Sequence, residues 1–201
     1  MGLSPQQFEQ LQRRLGGRRP ATARLPAPVP EPLAAHRVIL GVDPSLRGTG
    51  YGIIRLAKPH HATLTHGTIR CPAGWDRSRC LVRISQALRE VIAAHRPDVC
   101  AVEGLFYAQN LKTALIMGEA RGAAVAAIAE SGIEIFEITP RKVKQAIVGY
   151  GAAQKLAVAK MVQRMLNLPE LPEADAADAM ALALAFMQEQ GRLSVSAPKK
   201  I

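Results

Sequence analysis

The order of its apolar segments constrains the fold of this chain more than any other feature. Three short β patterns, at residues 38–43, 50–57 and 62–70, follow one another closely enough to pair as an antiparallel meander. After these, segments with apolar residues at helical spacing alternate with near-continuous apolar runs. Such runs are typical of strands buried on both faces of a sheet. The predicted helices are 75–95, 111–131, 140–148, 152–166 and 173–188, and the later strands are 97–104 and 133–139. This order predicts an α/β domain with a mixed sheet.

The two ends of the chain differ in composition from its middle. Residues 1–36 are rich in Pro, Ala and Arg and hold few large apolar side chains, which predicts a flexible basic extension. Residues 37–190 form the predicted domain, and residues 191–201 a flexible tail. No apolar stretch approaches the length of about 20 residues that spans a bilayer, so we expect no membrane insertion. The three cysteines lack CxxC spacing, which argues against a disulfide framework or a zinc site and favours a reducing cytoplasm.

The net charge indicates the class of partner. The chain carries a formal charge of +10 at pH 7, and its isoelectric point is near 10.1. Clustered Lys and Arg gain affinity by displacing counterions from a phosphate backbone, so a polyanionic partner is favoured. An ordinary basic protein without such a partner is the alternative that charge alone leaves open.

Four acidic residues lie where solvent-exposed charge is not expected. Asp43 ends the first strand and Glu103 the fourth, while Asp175 and Asp178 lie three residues apart on one face of the last helix. The carboxyl ends of neighbouring parallel strands meet at one edge of an α/β sheet, so Asp43 and Glu103 converge if their strands are adjacent. Carboxylates that share a pocket need a cation to stay ionised.

Oxygen ligands of this kind, with no Cys or His at metal spacing, select Mg²⁺ or Mn²⁺ over Zn²⁺. Two such ions about 3.5–4 Å apart can activate a water molecule and stabilise the leaving oxygen of a phosphoryl displacement. Three of the four acids also have a purely structural interpretation: Asp43 as a turn cap, Glu103 as the partner of an Arg, and Asp175 as a helix N-cap.

Four ordered segments carry the most specific signal. They are ILGVDPSLRGTGYGIIR, AVEGLFYAQNLKTALIMGEARG, ITPRKVKQAIVGYGAAQK and ADAADAMALALA, and together they span about residues 37–188. In order and spacing they resemble the motifs of the bacterial RuvC crossover junction endodeoxyribonucleases. The resemblance implies a ribonuclease H-like fold, with a five-stranded mixed sheet flanked by helices. It also implies a Mg²⁺-dependent homodimer that acts in DNA recombination and repair, nicking two strands of like polarity in a four-way Holliday junction.

The resemblance also implies roles for individual residues. Asp43, Glu103, Asp175 and Asp178 match the family's catalytic metal ligands, for two Mg²⁺ ions that Mn²⁺ can replace. Phe106 matches an aromatic residue near the junction centre, where a ring can stack on an unpaired base; a core phenylalanine is the alternative. Further matches are basic. Lys144 and Lys155 match positions beside the scissile phosphate, while Lys112, Arg121 and Arg141 are weaker candidates that a solvated helix face explains equally well.

Two departures and one addition distinguish this chain from the usual family pattern. Ser45 stands where the family commonly has Gly, and Gly104 where many relatives carry a polar residue. The extension of residues 1–36 has no counterpart in that pattern. The family further implies partnership with the RuvA and RuvB branch-migration proteins.

A homodimer follows physically from the reaction, because matched nicks in two strands need two active sites related by twofold symmetry. We expect the interface on the Ala-rich helix of residues 111–131, whose composition is too apolar for a solvated surface. Three rivals differ in function. They are an actin-like or sugar-kinase ATPase, which needs a second large domain, a junction-binding protein without nuclease activity, and a ribonuclease H-like nuclease that acts on ribosomal RNA precursor.

Overall fold

The computed structural model describes residues 37–104, 110–190 and 198–201, and Gln6 besides. The strands are β1 (Val38–Asp43), β2 (Gly48–Arg55), β3 (Ala62–Arg70), β4 (Val99–Glu103), β5 (Glu134–Ile138) and β6 (Lys199–Lys200). The helices in the described part of the domain are α1 (Arg77–His95), α2 (Leu111–Ala129), α3 (Pro140–Val148), α4 (Lys155–Met165) and α5 (Ala174–Gln190). The predicted extension of residues 1–36 lies outside the described residues, apart from Gln6.

The strands form one mixed sheet in the order β3-β2-β1-β4-β5-β6. The hairpins β1–β2 and β2–β3 are antiparallel, whereas β4 pairs in parallel with both β1 and β5. Because helices connect the parallel strands, both faces of the sheet centre are covered. The predicted α/β class with a mixed sheet is therefore confirmed.

The sheet has one strand more than the five predicted. Lys199 and Lys200 pair with Glu137 and Phe136 of β5, and the backbone N–H of Ile201 donates to the Ile135 carbonyl over 3.0 Å. These residues belong to the segment that the sequence assigns to a flexible tail. A strand of two lysines has no apolar periodicity, so the sequence pattern does not predict it.

The two faces of the sheet are covered by different helices. Helices α3, α4 and α5 pack on one face, through buried residues such as Val143, Val158 and Leu182. Helices α1 and α2 pack on the other face, where Leu88 and Ile128 are fully buried. Among the described residues, no helix is both long and apolar enough to cross a bilayer.

Helix α5 lies unusually close to the sheet because glycines line its seat. A Cβ atom on Gly50 of β2 would come within 1.9 Å of the Asp175 carbonyl oxygen, and one on Gly41 of β1 within 1.9 Å of the Ala179 carbonyl oxygen. No side chain fits in that space, so the backbone of α5 approaches the strands directly. This contact determines where the acidic side chains of α5 lie.

Candidate active site

Two of the predicted acids converge because their strands are neighbours in the sheet. Val42 of β1 pairs in parallel register with Val102 of β4, so Asp43 and Glu103 follow side by side at the carboxyl ends of the strands. Both side chains are half-buried. The two carboxyl groups are close enough to hydrogen-bond, a contact that raises the pKa of Glu103 and lowers that of Asp43.

Helix α5 brings the other two acids to the same edge. Asp178 adds its charge to those of Asp43 and Glu103, raising the pKa of both, and Asp175 raises the pKa of Asp43. A Cβ on Gly48, at the start of β2, would lie 2.7 Å from Asp175 Oδ2, so this glycine leaves room for the carboxylate. The structure therefore brings all four predicted acids to one edge of the sheet.

A surface ion pair holds the start of α5 against β3. Arg70, the last residue of β3, contacts Glu173 just before the helix, with Nη2 and Oε1 2.6 Å apart. The hydrogen bond and the charge of Arg70 lower the pKa of the Glu173 carboxyl. This contact and the glycine seat together fix the helix end that carries Asp175.

Burial and mutual repulsion disfavour full ionisation of this cluster. Desolvation first, and then the charge of Asp43, raise the pKa of Glu103 to about 8. Desolvation and the charge of Asp178 also raise the pKa of Asp43. Both shifts favour the protonated forms of these carboxyl groups more than water does.

Lys155 places a positive charge beside the acidic cluster. It is the first residue of α4, and its Nζ lies 2.8 Å from Asp178 Oδ2. That hydrogen bond is the main cause of the raised pKa of Lys155, with the charges of Asp178 and Asp43 adding to it. The Lys155 side chain is 69% exposed, whereas the Asp178 side chain is 19% exposed. A predicted basic residue thus lies in direct contact with a predicted metal ligand.

Asp43, Glu103 and Asp178 line a cleft of about 250 Å³, which we call the catalytic cleft. Its wall opposite the strands comes from α3 and α4, through Pro140, Lys144 and Lys155. Both helices begin beside the cleft, and neither has an acidic residue in its first turn. Free N–H groups and the positive ends of the helix dipoles favour an anionic ligand there.

The donor set fits a hard divalent cation. Carboxylate oxygens from three elements face one cleft, which is the chemistry that Mg²⁺ and Mn²⁺ prefer. Within the described ranges, which omit 105–109, no three His, Cys, Asp or Glu side chains are already arranged as metal ligands. In the arrangement present, Glu103 interacts with Asp43, and Lys155 donates to Asp178.

The turn that follows Asp43 is closed by a contact that the sequence did not reveal. The Thr49 hydroxyl donates to the Ser45 carbonyl over 2.7 Å, and the Ser45 N–H donates to Thr49 Oγ1 over 3.2 Å. Thr49 is fully buried. Both bonds to Ser45 use its backbone, so its side chain is accommodated where the family commonly has Gly.

Arg121 has an internal role. Its Nη2 donates to Glu137 Oε2 and its Nε to the Glu103 carbonyl over 3.4 Å, leaving 14% of the side chain exposed. The guanidinium of Arg121 is thus engaged inside the domain, and its predicted phosphate contact stays a prediction. A Cβ on Gly104 would lie 3.0 Å from Glu137 Cγ, so the glycine makes room for the ion pair. Glu137 and Thr49 are the site residues that sequence reasoning missed.

Of the remaining predicted residues that the structure describes, Lys144 alone lines the cleft with the acids. Lys112, in the first turn of α2, is exposed, and Arg141 lies on the exposed side of α3. Lys144 is half-buried and reaches the catalytic cleft. Phe106 lies outside the described residues, so its predicted stacking role stays a prediction.

Comparison with known proteins gives one consistent family. The family model described as crossover junction endodeoxyribonuclease RuvC matches residues 39–186. The RuvC protein of Pasteurella multocida is 46% identical over 147 residues, which make up 73% of this chain and 77% of the relative. That of Geobacter metallireducens is 43% identical over 157 residues, covering 78% of this chain and 96% of the relative.

Solved structures agree with the sequence relatives. The structure of T. thermophilus RuvC in complex with a Holliday junction substrate matches with a TM-score of 0.74 and 30% identity, covering 83% of this chain and 100% of that chain. The yeast mitochondrial Holliday junction resolvase, 14% identical with a TM-score of 0.57, shares the fold alone. Fold, sequence and the acidic edge of the sheet point the same way: the chain belongs to the RuvC family of crossover junction endodeoxyribonucleases.

Proposed function

We propose that the catalytic cleft is where this member of a junction-resolving nuclease family hydrolyses DNA. The observation that carries the proposal is the convergence of Asp43, Glu103 and Asp178 beside Lys155, at the carboxyl edge of a parallel strand pair. Functional groups collect at such edges in α/β proteins. The substrate is four-way junction DNA, and the reaction hydrolyses one phosphodiester bond in each of two strands of like polarity.

Asp43, Glu103, Asp175 and Asp178 would hold Mg²⁺, with Mn²⁺ as a substitute and two ions at full occupancy. When bound, the metal supplies the positive charge that activates water and stabilises the leaving oxygen. The raised pKa values of Asp43 and Glu103 support this assignment, since a cluster that resists ionisation on its own gains most from a cation. Glu103 must lose its proton for the site to fill.

The basic residues position the DNA. Lys155 has a 69% exposed side chain, so it has the freedom to contact a phosphate oxygen and would do so once a bound cation compensated Asp178. Lys144 approaches from α3 on the opposite side of the cleft. The first turns of α3 and α4 add N–H groups without opposing carboxylates. These groups orient the scissile phosphate over the acids.

A homodimer is part of the proposal, because a pair of matched nicks needs two cleft copies. The free side of α2 supports this interface: Leu111 is 86% and Leu115 57% exposed, although the rest of the helix packs on the domain. Partnership with the RuvA and RuvB branch-migration complex is an expectation carried by the family. A cytoplasmic location agrees with three unbridged cysteines, Cys71, Cys80 and Cys100.

Cleavage of a synthetic four-way junction tests the proposal. With Mg²⁺, we expect paired symmetric nicks in the junction and none in a linear duplex or a structured RNA of matched length. Asp43→Asn removes a ligand charge with little change in shape and should lower the rate by at least about a thousandfold, as losses of central catalytic groups do. Undiminished cleavage by Asp43→Asn would refute the ligand assignment. Binding without any cleavage would favour a junction-binding protein, and cutting of the RNA alone a ribonuclease.

A further inference from the structure

A second and larger cavity adjoins the catalytic cleft. It has a volume of about 770 Å³ and lies between α3 and the segment that leads into α4. Pro140 and Lys144 line both spaces, so a strand whose phosphate sits over the acids reaches the cavity with its neighbouring nucleotide. We call this space the α3 cavity. Apart from Pro140 and Lys144, the residues that line it do not line the catalytic cleft.

An exposed aromatic ring forms one wall of the α3 cavity. Tyr150 is 65% exposed, which is a large unburied apolar surface for an ordered segment. Gly149 ends α3 with a φ of +79°, a left-handed conformation that favours glycine, and Tyr150 follows it directly. The turn therefore presents the ring at the surface, where a planar ligand can stack on it.

The same segment keeps a cation beside the ring. A Cβ on Gly151 would come within 2.9 Å of Arg141 Cγ, so the absence of a side chain there lets Arg141 lie against the loop. Lys144 and Gln145 complete the polar lining. Of the described residues that line the cavity, none is acidic. An aromatic face between two cations and an amide suits a base with its phosphate.

We propose that the α3 cavity binds the nucleotide next to the scissile phosphate, with the base stacked on Tyr150. Arg141 and Lys144 hold the phosphates on either side, and the Gln145 amide faces the edge of the base. This inference rests on the proposed function, and it makes the loop between α3 and α4 a determinant of which sequences are cut. Stacking alone tolerates every base, so any preference comes from Gln145 and from the fit of the ring.

The test places 2-aminopurine at single positions within three nucleotides on each side of the cut, in junctions bound without divalent metal. Stacking on an aromatic ring quenches this base. We expect quenching at one position with the unmodified protein and with Tyr150→Phe, and loss of that quenching with Tyr150→Ala. Leu171→Ala, which removes an exposed side chain that lines neither space, serves as the matched control and should behave as the unmodified protein.

Kinetics provide the second readout. Tyr150→Ala should raise KM for the junction roughly tenfold with little change in kcat, and Tyr150→Phe should restore it, as expected for a stacking contact. Gln145→Ala should broaden the set of sequences cut. Equal quenching in Tyr150→Ala and unmodified protein, or a fall in kcat at constant KM, would overturn the inference. Failure of the unmodified protein to cut any junction is a different result, and it would overturn the proposed function as well.

Discussion

Lys155 at the start of α4 donates from Nζ to Asp178 Oδ2 in α5 over 2.8 Å, so the acidic cluster carries its own counter-cation. The bond links the N-terminal parts of two helices, α4 and α5. Its partners differ in exposure, since the lysine is mostly in solvent and the aspartate is mostly buried. The lysine therefore loses little free energy when it leaves this contact. The aspartate, which is mostly buried, needs the contact until another cation replaces the lysine.

We expect Lys155→Met to separate these two roles. Without metal, the variant leaves the carboxylates uncompensated, and the free energy of unfolding should fall by about 1 kcal/mol, a decrease in Tm of about 2–4 °C. With Mg²⁺ most of this difference should vanish, because the bound cation replaces the lysine charge. Junction cleavage should stay roughly a hundredfold slower, since the phosphate contact is lost. Thermal denaturation with EDTA and with Mg²⁺, beside cleavage rates, measures each effect.

Lys160→Met is the matched control. Lys160 is exposed on the same helix and lines neither the catalytic cleft nor the α3 cavity. The substitution Lys160→Met removes one positive charge from α4, as Lys155→Met does. A general electrostatic effect would therefore appear in both variants. An equal loss of activity in the two would argue against a specific role for Lys155.

The metal-free protein should lose stability as the pH rises. Glu103 has a pKa of about 8 in the folded chain and an ordinary value near 4.5 when unfolded. Between these values the folded state binds a proton that the unfolded state has released, so the free energy of unfolding falls with pH, by at most about 1.4 kcal/mol per unit. This stabilisation is fully present below pH 4.5 and is lost as the pH passes 8. Denaturation in EDTA from pH 5 to 9 measures the slope.

Glu103→Gln isolates this contribution. The amide resembles the protonated carboxyl in shape and can donate to Asp43, but it does not titrate. The variant should show a shallower pH slope and become more stable than the unmodified protein near pH 8, while losing cleavage activity. Glu90→Gln changes an exposed carboxyl on α1 and should leave the slope unaltered. Parallel slopes in all three proteins would contradict the assignment.

The close seat of α5 predicts an unusually costly alanine substitution. In Gly50→Ala the new methyl group would lie 1.9 Å from the Asp175 carbonyl oxygen, which is backbone and cannot rotate away. Helix α5 must move, and we expect a loss of about 3 kcal/mol or more, equivalent to about 6–12 °C in Tm. Gly74→Ala, whose Cβ would meet nothing within 4 Å, should change Tm little. Differential scanning calorimetry of both variants distinguishes a clash with α5 from a general effect of replacing glycine by alanine. Equal changes in Tm would indicate the general effect.

Much of this arrangement could be predicted because it depends on periodicity and strand ends. The strand over 38–43, the strand over 62–70 and the helix over 140–148 have the predicted bounds. Asp43 and Glu103 meet because parallel neighbours end at one edge, which is a rule of topology rather than of side-chain detail. The acids of α5 reach that edge because the glycines admit the helix.

What could not be predicted depends on how elements are rotated against each other. The Arg121–Glu137 pair joins α2 to β5, and no local pattern shows which residue of β5 faces the helix. A surface arginine and a buried one have the same sequence signature, so the sequence does not predict that Arg121 pairs with Glu137. Thr49 bonds back to Ser45 through a turn whose geometry the sequence does not determine.

The Arg121–Glu137 pair should matter both for stability and for catalysis. Arg121→Leu leaves a largely buried carboxylate without its partner and should cost about 2–4 kcal/mol. The double variant Arg121→Leu with Glu137→Leu removes both charges and should regain most of that stability. It should not regain the cleavage rate, because the bond from Arg121 to the Glu103 carbonyl, which positions the end of β4, is still missing. Unfolding in urea and cleavage rates measured on all three proteins test this, and full recovery of cleavage in the double variant would show that the pair only stabilises the fold.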